Sequence, residues 1–245
     1  MGQDKSDLPL KDMKSAATNK SDVPTASRRH FLTGSASAIA ASLSLSSAAH
    51  AKEACRATER DILGPFHRPG APFGVVLADE GEPGTRLMLS GQVFGPDCKT
   101  PIANALMDIW HADAKGEYDL PKYAKVYTPQ QEYRLRRQLL TDADGRYKIE
   151  TVIPGRYKIP KGLPDIDDKY AGRTRPAHIH LLAAAPGYAS LITQLYFEGD
   201  PFIAGDPWAG GETEDDHAKN QLKLEPVAED GSIVKSTFDI TLTRG

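Results

Sequence analysis

From Cys55 onward, glycine and proline interrupt this chain at such short intervals that no sustained helical pattern develops; the 245 residues hold 21 Gly and 18 Pro. What remains between the breaks are short runs that alternate apolar and polar residues, the period of a half-buried strand. Leu87 to Phe94 is one such run, closed by Gly95-Pro96-Asp97. Ala105 to Trp110 is another, with Ala105, Met107 and Ile109 on one face and Leu106, Asp108 and Trp110 on the other. Thr141-Asp-Ala-Asp-Gly145 is a turn signal of the hairpin kind leading into Tyr147 to Ile153. Ala177 to Ala184, Leu191 to Phe197 and Thr237 to Thr243 complete the set, the last with Phe238, Ile240 and Leu242 sharing a face. Many short strands with turn signals predict an all-β chain, a β-sandwich core. The stretches Leu120 to Gln131, Pro160 to Arg173 and Gly199 to Lys219 are long for connections inside a sandwich and are expected to serve a site.

The first fifty residues read differently. Met1 to Ala26 is polar and aperiodic, the composition of a disordered leader. Ser27-Arg28-Arg29-His30-Phe31-Leu32 then carries a twin-arginine signature. It runs into the Ala/Ser-rich stretch Thr33 to Ala48 and the cleavage pattern Ala49-His50-Ala51. Residues 1–51 are therefore expected to be leader and signal peptide, and 52–245 the β-sandwich domain of a periplasmic or secreted protein. The apolar stretch is too short and too serine-rich to span a bilayer, so no stable membrane anchor is expected after cleavage. A net charge of −3 with no basic block argues against nucleic acid as a partner. Cys55 and Cys98 have spacing that matches no metal motif. In an oxidising compartment they could pair or stay reduced, and the sequence leaves both open.

Chemistry concentrates in Arg175-Pro-Ala-His178-Ile-His180. In a strand, residues two apart share a face, so His178 and His180 present two imidazoles side by side while Ile179 turns into apolar packing. Two imidazoles are half a metal site, and their partners must come from elsewhere. Three further segments stand out: Asp108-Ile-Trp-His-Ala-Asp113 with Gly116-Glu-Tyr118, Pro154-Gly-Arg-Tyr157, and Thr193-Gln194-Leu-Tyr196-Phe-Glu-Gly-Asp-Pro201. Each alone has a bland reading. A His-x-His pair is more often packing than ligation, His111 beside Trp110 reads as packing, and nothing marks His67 or His217.

Together and in this order, from Gly64-Pro65-Phe66 through the T-D-A-D-G-R-Y turn to Gly199-Asp200-Pro201, these segments resemble the intradiol ring-cleavage dioxygenases. The resemblance covers roughly Leu63 to Pro201. It implies non-haem Fe(III) held by Tyr118, Tyr157, His178 and His180, with Tyr157 the tyrosine that leaves when substrate binds. It also implies Arg175 and Gln194 as further catalytic groups. Tyr123, Tyr127 and Tyr133 stay open as alternatives to Tyr118, and Tyr147, inside a strand, is the expected decoy. The implied reaction cleaves a catechol-type aromatic with O2 to a cis,cis-muconate-type dicarboxylic acid. The donor types agree with that cofactor, since phenolate is a hard anionic oxygen that favours a trivalent cation over zinc or copper(I).

The resemblance also implies that catechol and hydroxyquinol members carry a helical dimerisation segment ahead of the catalytic domain. Too few residues separate Ala51 from Gly64 to supply one. The expected mature chain is nearer a protocatechuate-type subunit, acting on a bulkier or lignin-derived catechol, and a homo-oligomer is compatible with it. The competing expectation is an exported β-sandwich that binds a ligand or partner without turnover.

Overall fold

The computed structural model describes residues 55–120, 132–163, 166–209 and 220–245. The expected leader and signal segment 1–51, Tyr123, Tyr127, His217, nearly all of the loop 120–131 and about half of 199–219 lie outside them. The described residues form twelve strands: β1 (Arg86–Phe94), β2 (Leu106–His111), β3 (Arg136–Leu140), β4 (Arg146–Val152), β5 (Tyr157–Lys158) and β6 (Thr174–Arg175). They continue with β7 (His178–Ala184), β8 (Leu191–Phe197), β9 (Gln221–Leu222), β10 (Glu225–Pro226), β11 (Ile233–Thr237) and β12 (Ile240–Thr241). The single helical piece among the described residues is one short 3-10 turn, Asp168–Tyr170. No helix among them is long and apolar enough to cross a membrane.

Two five-stranded sheets form the expected β-sandwich. In the first, β1 pairs antiparallel with β4 on one side and parallel with β11 and then β12 on the other, and β10 flanks β11. The second runs β3-β2-β7-β8-β9, antiparallel except for the β8–β9 pair. A two-stranded ribbon, β5–β6, pairs Tyr157 with Arg175. The core lies between the sheets: Leu87, Leu89 and Ile149 come from the first, and Met107, Ile109, Ile179, Leu181 and Leu195 from the second.

Two sequence expectations need correcting. The Asp142–Gly145 turn does not close a hairpin, because β3 belongs to the second sheet and β4 to the first. The same turn chemistry serves a chain that crosses between layers, and local signals do not say which partner a strand finds. The run Thr237 to Thr243 is split: β11 ends at Thr237 and only Ile240–Thr241 resumes pairing with β1. Its apolar face is nevertheless buried, with Ile240 and Leu242 in the core and Phe238 packed against it. Strand β3 escaped notice because its sequence, Arg136-Arg-Gln-Leu-Leu140, has charge where a strand usually shows apolar residues.

An N-terminal strap, Cys55 to Phe66, ties the layers together. Its first residue forms a disulfide with Cys98, closing a sequence separation of 43. Thr58 exchanges two hydrogen bonds with Thr241 of the first sheet, and the Asp61 N–H donates to Ile192 of the second.

Candidate metal centre and active site

Strand alternation in the second sheet decides where the chemistry sits. Ile179, Leu181 and Leu195 point into the sandwich, so His178, His180, Gln194 and Tyr196 share the outer face. Register sets them in rows: Trp110 opposite His180 opposite Gln194, and His178 opposite Tyr196. The Trp110 ring stacks on His180 at 4.8 Å with 5° between planes. From the other direction Gly64, at φ +72°, comes so close that a Cβ there would stand 3.0 Å from His180 Cε1. Packing between an indole and a bare backbone thus fixes this imidazole.

Two loops bring in the phenols. Asp113 accepts backbone N–H bonds from Lys115 and Glu117, folding the turn that delivers Tyr118. Gly155 donates its N–H to the Asp113 carbonyl at 2.7 Å, and Gly116 and Gly155 abut the facing backbone so closely that any side chain would overlap it. That approach brings Tyr118 beside Tyr157, ring centroids 5.7 Å apart and edge to face. The Tyr118 hydroxyl then lies 3.2 Å from His180 Nε2 and 3.5 Å from His178 Nε2. Tyr157 and His178 rings are 5.6 Å apart. All four residues implied as ligands therefore meet at one place. Phe66 closes it, stacked on Tyr118 at 4.2 Å and edge-on to Tyr157 at 5.9 Å.

The electrostatics of this cluster suit a cation. Burial pushes both imidazoles well below the usual histidine range, with the Arg175 charge adding to it, so both are neutral. The His178 Nδ1–H donates to the Pro176 carbonyl at 2.7 Å, which leaves the Nε2 lone pair facing the Tyr118 oxygen. Burial also raises Tyr118 well above the ordinary tyrosine value, its phenol neighbour Tyr157 adding to the effect. Tyr157 is raised too, against the pull of the adjacent Arg175 guanidinium. Two phenolates in such a place need a cation to exist, and a bound metal ion inverts this balance. Among the described residues no group of three or more His, Cys, Asp or Glu side chains could hold a metal, so a four-ligand centre here depends on the two phenols.

Arg175 and Gln194 lie beside the cluster. Arg175 is 2% exposed and is held by Asp206 through Nε at 2.8 Å and Nη2 at 3.0 Å. It also stacks on Trp208, 4.6 Å from the ring centre. Its acid partner is thus Asp206, in the loop after Pro201.

Other tyrosines and histidines are spent elsewhere. Tyr147 is buried and donates to the Phe238 carbonyl at 2.6 Å, and Tyr133 donates to the Pro69 carbonyl at 2.6 Å. His111 is buried between Thr151 Oγ1 and the Ala112 carbonyl, its pKa lowered to about 4 chiefly by burial. His67, unmarked in the sequence, packs at a tilt against Trp110, ring centroids 4.6 Å apart, and lies 3.1 Å from the Asp108 carboxylate. It forms a layer behind His180. Asp61 and Asp206 were missed, and Phe66 and Tyr196, though part of the quoted motifs, were given no role, since nothing local in the sequence says which aromatics and acids fold over a distant strand.

Comparison with known proteins agrees with this geometry. Residues 63–244 match the dioxygenase family. Catechol 1,2-dioxygenase 2 of Acinetobacter lwoffii is 41% identical over 155 residues, which is 61% of this chain and 54% of that protein. Catechol 1,2-dioxygenase of Pseudomonas sp. strain EST1001 is 36% identical over 199 residues, 76% of this chain and 63% of that protein. Among solved structures, 3-chlorocatechol 1,2-dioxygenase from Rhodococcus opacus 1CP superposes with a TM-score of 0.61 at 30% identity, covering 79% of this chain and 75% of that one. The dioxygenase domain of a carbohydrate-binding fusion protein from Streptomyces sp. SirexAA-E gives 0.57 at 28%, covering 78% of this chain and all of that one. The chain spans a little over half to just under two thirds of the length of the first curated relatives it matches. With that match running through both sheets and all four converging side chains, the chain belongs to the intradiol dioxygenase family.

Proposed function

We propose that this protein is a non-haem Fe(III) intradiol dioxygenase that opens the ring of a catechol-type aromatic with O2 and yields a cis,cis-muconate-type dicarboxylic acid. The observation that carries the reading is the meeting of two half-buried phenols with two buried, neutral imidazoles at one place. Tyr118, Tyr157, His178 and His180 would hold the iron, and their hard oxygen and borderline nitrogen donors suit the ferric ion. Iron held by these four side chains would supply Lewis-acid activation of a catechol toward O2. Relatives named for catechol, chlorocatechol and hydroxyquinol supply the substrate class.

The protein's own groups handle protons and charge. Burial gives the Tyr157 oxygen a high proton affinity, so as a phenolate it takes a catechol hydroxyl proton. Arg175, locked by Asp206, is a permanent cation beside it and favours anionic forms of the substrate. Gln194 offers a carboxamide on the same face. Phe66 and Trp110 wall the site and exclude water.

We also propose export in folded form by the twin-arginine route to the periplasm or beyond. The Cys55–Cys98 disulfide supports an oxidising destination.

A visible spectrum of the purified protein, before and after adding a panel of catechols, tests the function. Phenolate-to-iron charge transfer should colour it burgundy to red, and substrate should shift the band while O2 is consumed. An iron-loaded but colourless protein would sink the ligand set. A yellow semialdehyde product, the mark of extradiol cleavage, would sink the reaction.

A further inference from the structure

The strap residue Asp61 places a carboxylate among the groups that adjoin the site. It accepts the Tyr196 hydroxyl proton at Oδ2, 2.7 Å away, and a Gln194 Nε2 hydrogen at Oδ1, 3.2 Å away. Gln194 Nε2 donates as well to the Ile62 carbonyl at 2.9 Å. Arg175 Nη2 donates to the Tyr196 oxygen at 3.2 Å. The strap therefore grips both groups assigned above to the reaction, Gln194 directly and Arg175 through one hydroxyl.

That hydroxyl has one hydrogen and two acceptors in reach: Asp61 Oδ2 at 2.7 Å and Gln194 Oε1 at 3.2 Å. With Asp61 ionised, the shorter, charge-assisted bond takes the hydrogen, and Gln194 Oε1 is left without it. With Asp61 protonated, the carboxyl itself donates to the Tyr196 oxygen and the tyrosine hydrogen turns to Gln194 Oε1. One proton from solvent thus reverses the chain of donors, and no other group changes charge.

We propose that Asp61 is a positioning residue: its ionised carboxylate, through Tyr196 and Gln194, sets the donor direction and orientation of the Gln194 carboxamide and the Arg175 contact beside the metal centre. The inference rests on the ring-cleavage reading for what Gln194 and Arg175 accomplish.

The charges around Asp61 place its ionisation where it matters. Arg175 faces it, but that guanidinium is already paired with Asp206 through two hydrogen bonds, so Asp61 is the second carboxylate for one cation. On its own segment Arg60 turns to the Ser190 carbonyl, and Glu59 is exposed. Tyr196 faces it from β8, and beyond that ring lies the His178 imidazole, 5.9 Å from it. Burial is the largest influence and Asp206 adds to it. Bonds from Tyr196 and the Ile62 N–H, and the Arg175 charge, oppose them, and the balance raises Asp61 from 3.8 to about 6.

Asp61→Asn keeps the shape and removes the ionisation. In the wild type, turnover should fall roughly tenfold between pH 7 and pH 5, as a single proton with a midpoint near 6 requires. Asp61→Asn should be slower at pH 7.5 and lack that acid limb, and Asp61→Glu should restore a limb at a shifted midpoint. A limb that persists unmoved in Asp61→Asn overturns the proposal. If Asp61→Asn does not fold, the shift in Asp61→Glu decides it, and an unshifted limb there overturns it equally.

A second readout needs no activity. A carboxyl whose folded-state value is raised binds its proton more tightly in the folded protein. Its contribution to stability is therefore present below about 4 and lost as pH rises through about 6. The thermal midpoint of Asp61→Asn minus that of the wild type should grow from pH 4.5 to pH 7, and a flat difference overturns the proposal. No ring cleavage by the iron-loaded wild type at any pH, with that growing difference intact, would instead fell the ring-cleavage reading.

Discussion

The two faces of the second sheet are made of alternate residues of the same strands, yet they follow different rules. The inner face, Ile109, Ile179, Leu181 and Leu195, is apolar and close-packed against Leu87, Leu89 and Ile149. Its demands are volume and shape, which several residue types meet. The outer face carries His178, His180, Gln194 and Tyr196, each with a particular partner: Pro176, Tyr118, Asp61 or Arg175. Its demands are donor direction and charge. A one-residue slip of β7 would exchange the two sets, so the inner face, by fixing register, is what aims the outer one. Stability and chemistry are thereby divided between odd and even positions of one strand.

Substitutions on each side should break different properties. The largest effect is expected from Tyr157→Phe, on the outer side. It keeps the ring that packs against Phe66 and Tyr118 and removes only the oxygen. Turnover should drop by about 10²–10⁴, the range for loss of a positioned base, and the visible band should shift. The thermal midpoint should hardly move. An unchanged spectrum would assign the ligand to another tyrosine. On the inner side, Leu181→Ala opens a cavity in a fully buried position. It should cost about 3 kcal/mol of unfolding free energy in a denaturant titration, while turnover per folded molecule stays within about twofold of the wild type. Loss of turnover in the folded fraction would mean that the faces are not separable and that core packing tunes the imidazoles directly.

The inner face was largely legible in the sequence, and so was the identity of the four converging side chains. Alternation in Ala177 to Ala184 and Leu191 to Phe197 is strong because one face meets an apolar layer and the other does not. Tyr118 and Tyr157 were legible only through the ordered set of motifs, since no spacing rule places a loop phenol over a distant strand. What the sequence hid were long-range polar partners. Asp206 lies 31 positions from Arg175, and Asp61 lies 135 from Tyr196. A lone Asp in a loop carries no sign of which guanidinium or hydroxyl it will meet. His67 was hidden for the same reason, as its place comes from packing against Trp110 rather than from any motif. The turn at Gly145 was read correctly as a turn and wrongly as a hairpin, because turn chemistry is local and sheet membership is not.

The strap is the third term in the comparison, because it belongs to neither face and serves the outer one. Its hold is distributed. Thr58 bonds to Thr241, Glu59 accepts from Thr193, Asp61 bonds to Ile192, Gln194 and Tyr196, and the disulfide fastens only its beginning. Cys98→Ser removes that fastening and lengthens the free chain ahead of Thr58. A disulfide closing a loop of this size stabilises chiefly by restricting the unfolded chain, so the substitution should cost about 2 kcal/mol. In a domain of this size that lowers the thermal midpoint by roughly 4–8 °C. Hydrogen bonds from Thr58 onward should still seat Asp61, so turnover at 25 °C and its pH profile should match the wild type within about twofold. If turnover instead falls well before the protein unfolds, the disulfide rather than the hydrogen bonds is what holds Asp61 against Gln194 and Tyr196. In that case the outer face is completed only after the chain is oxidised.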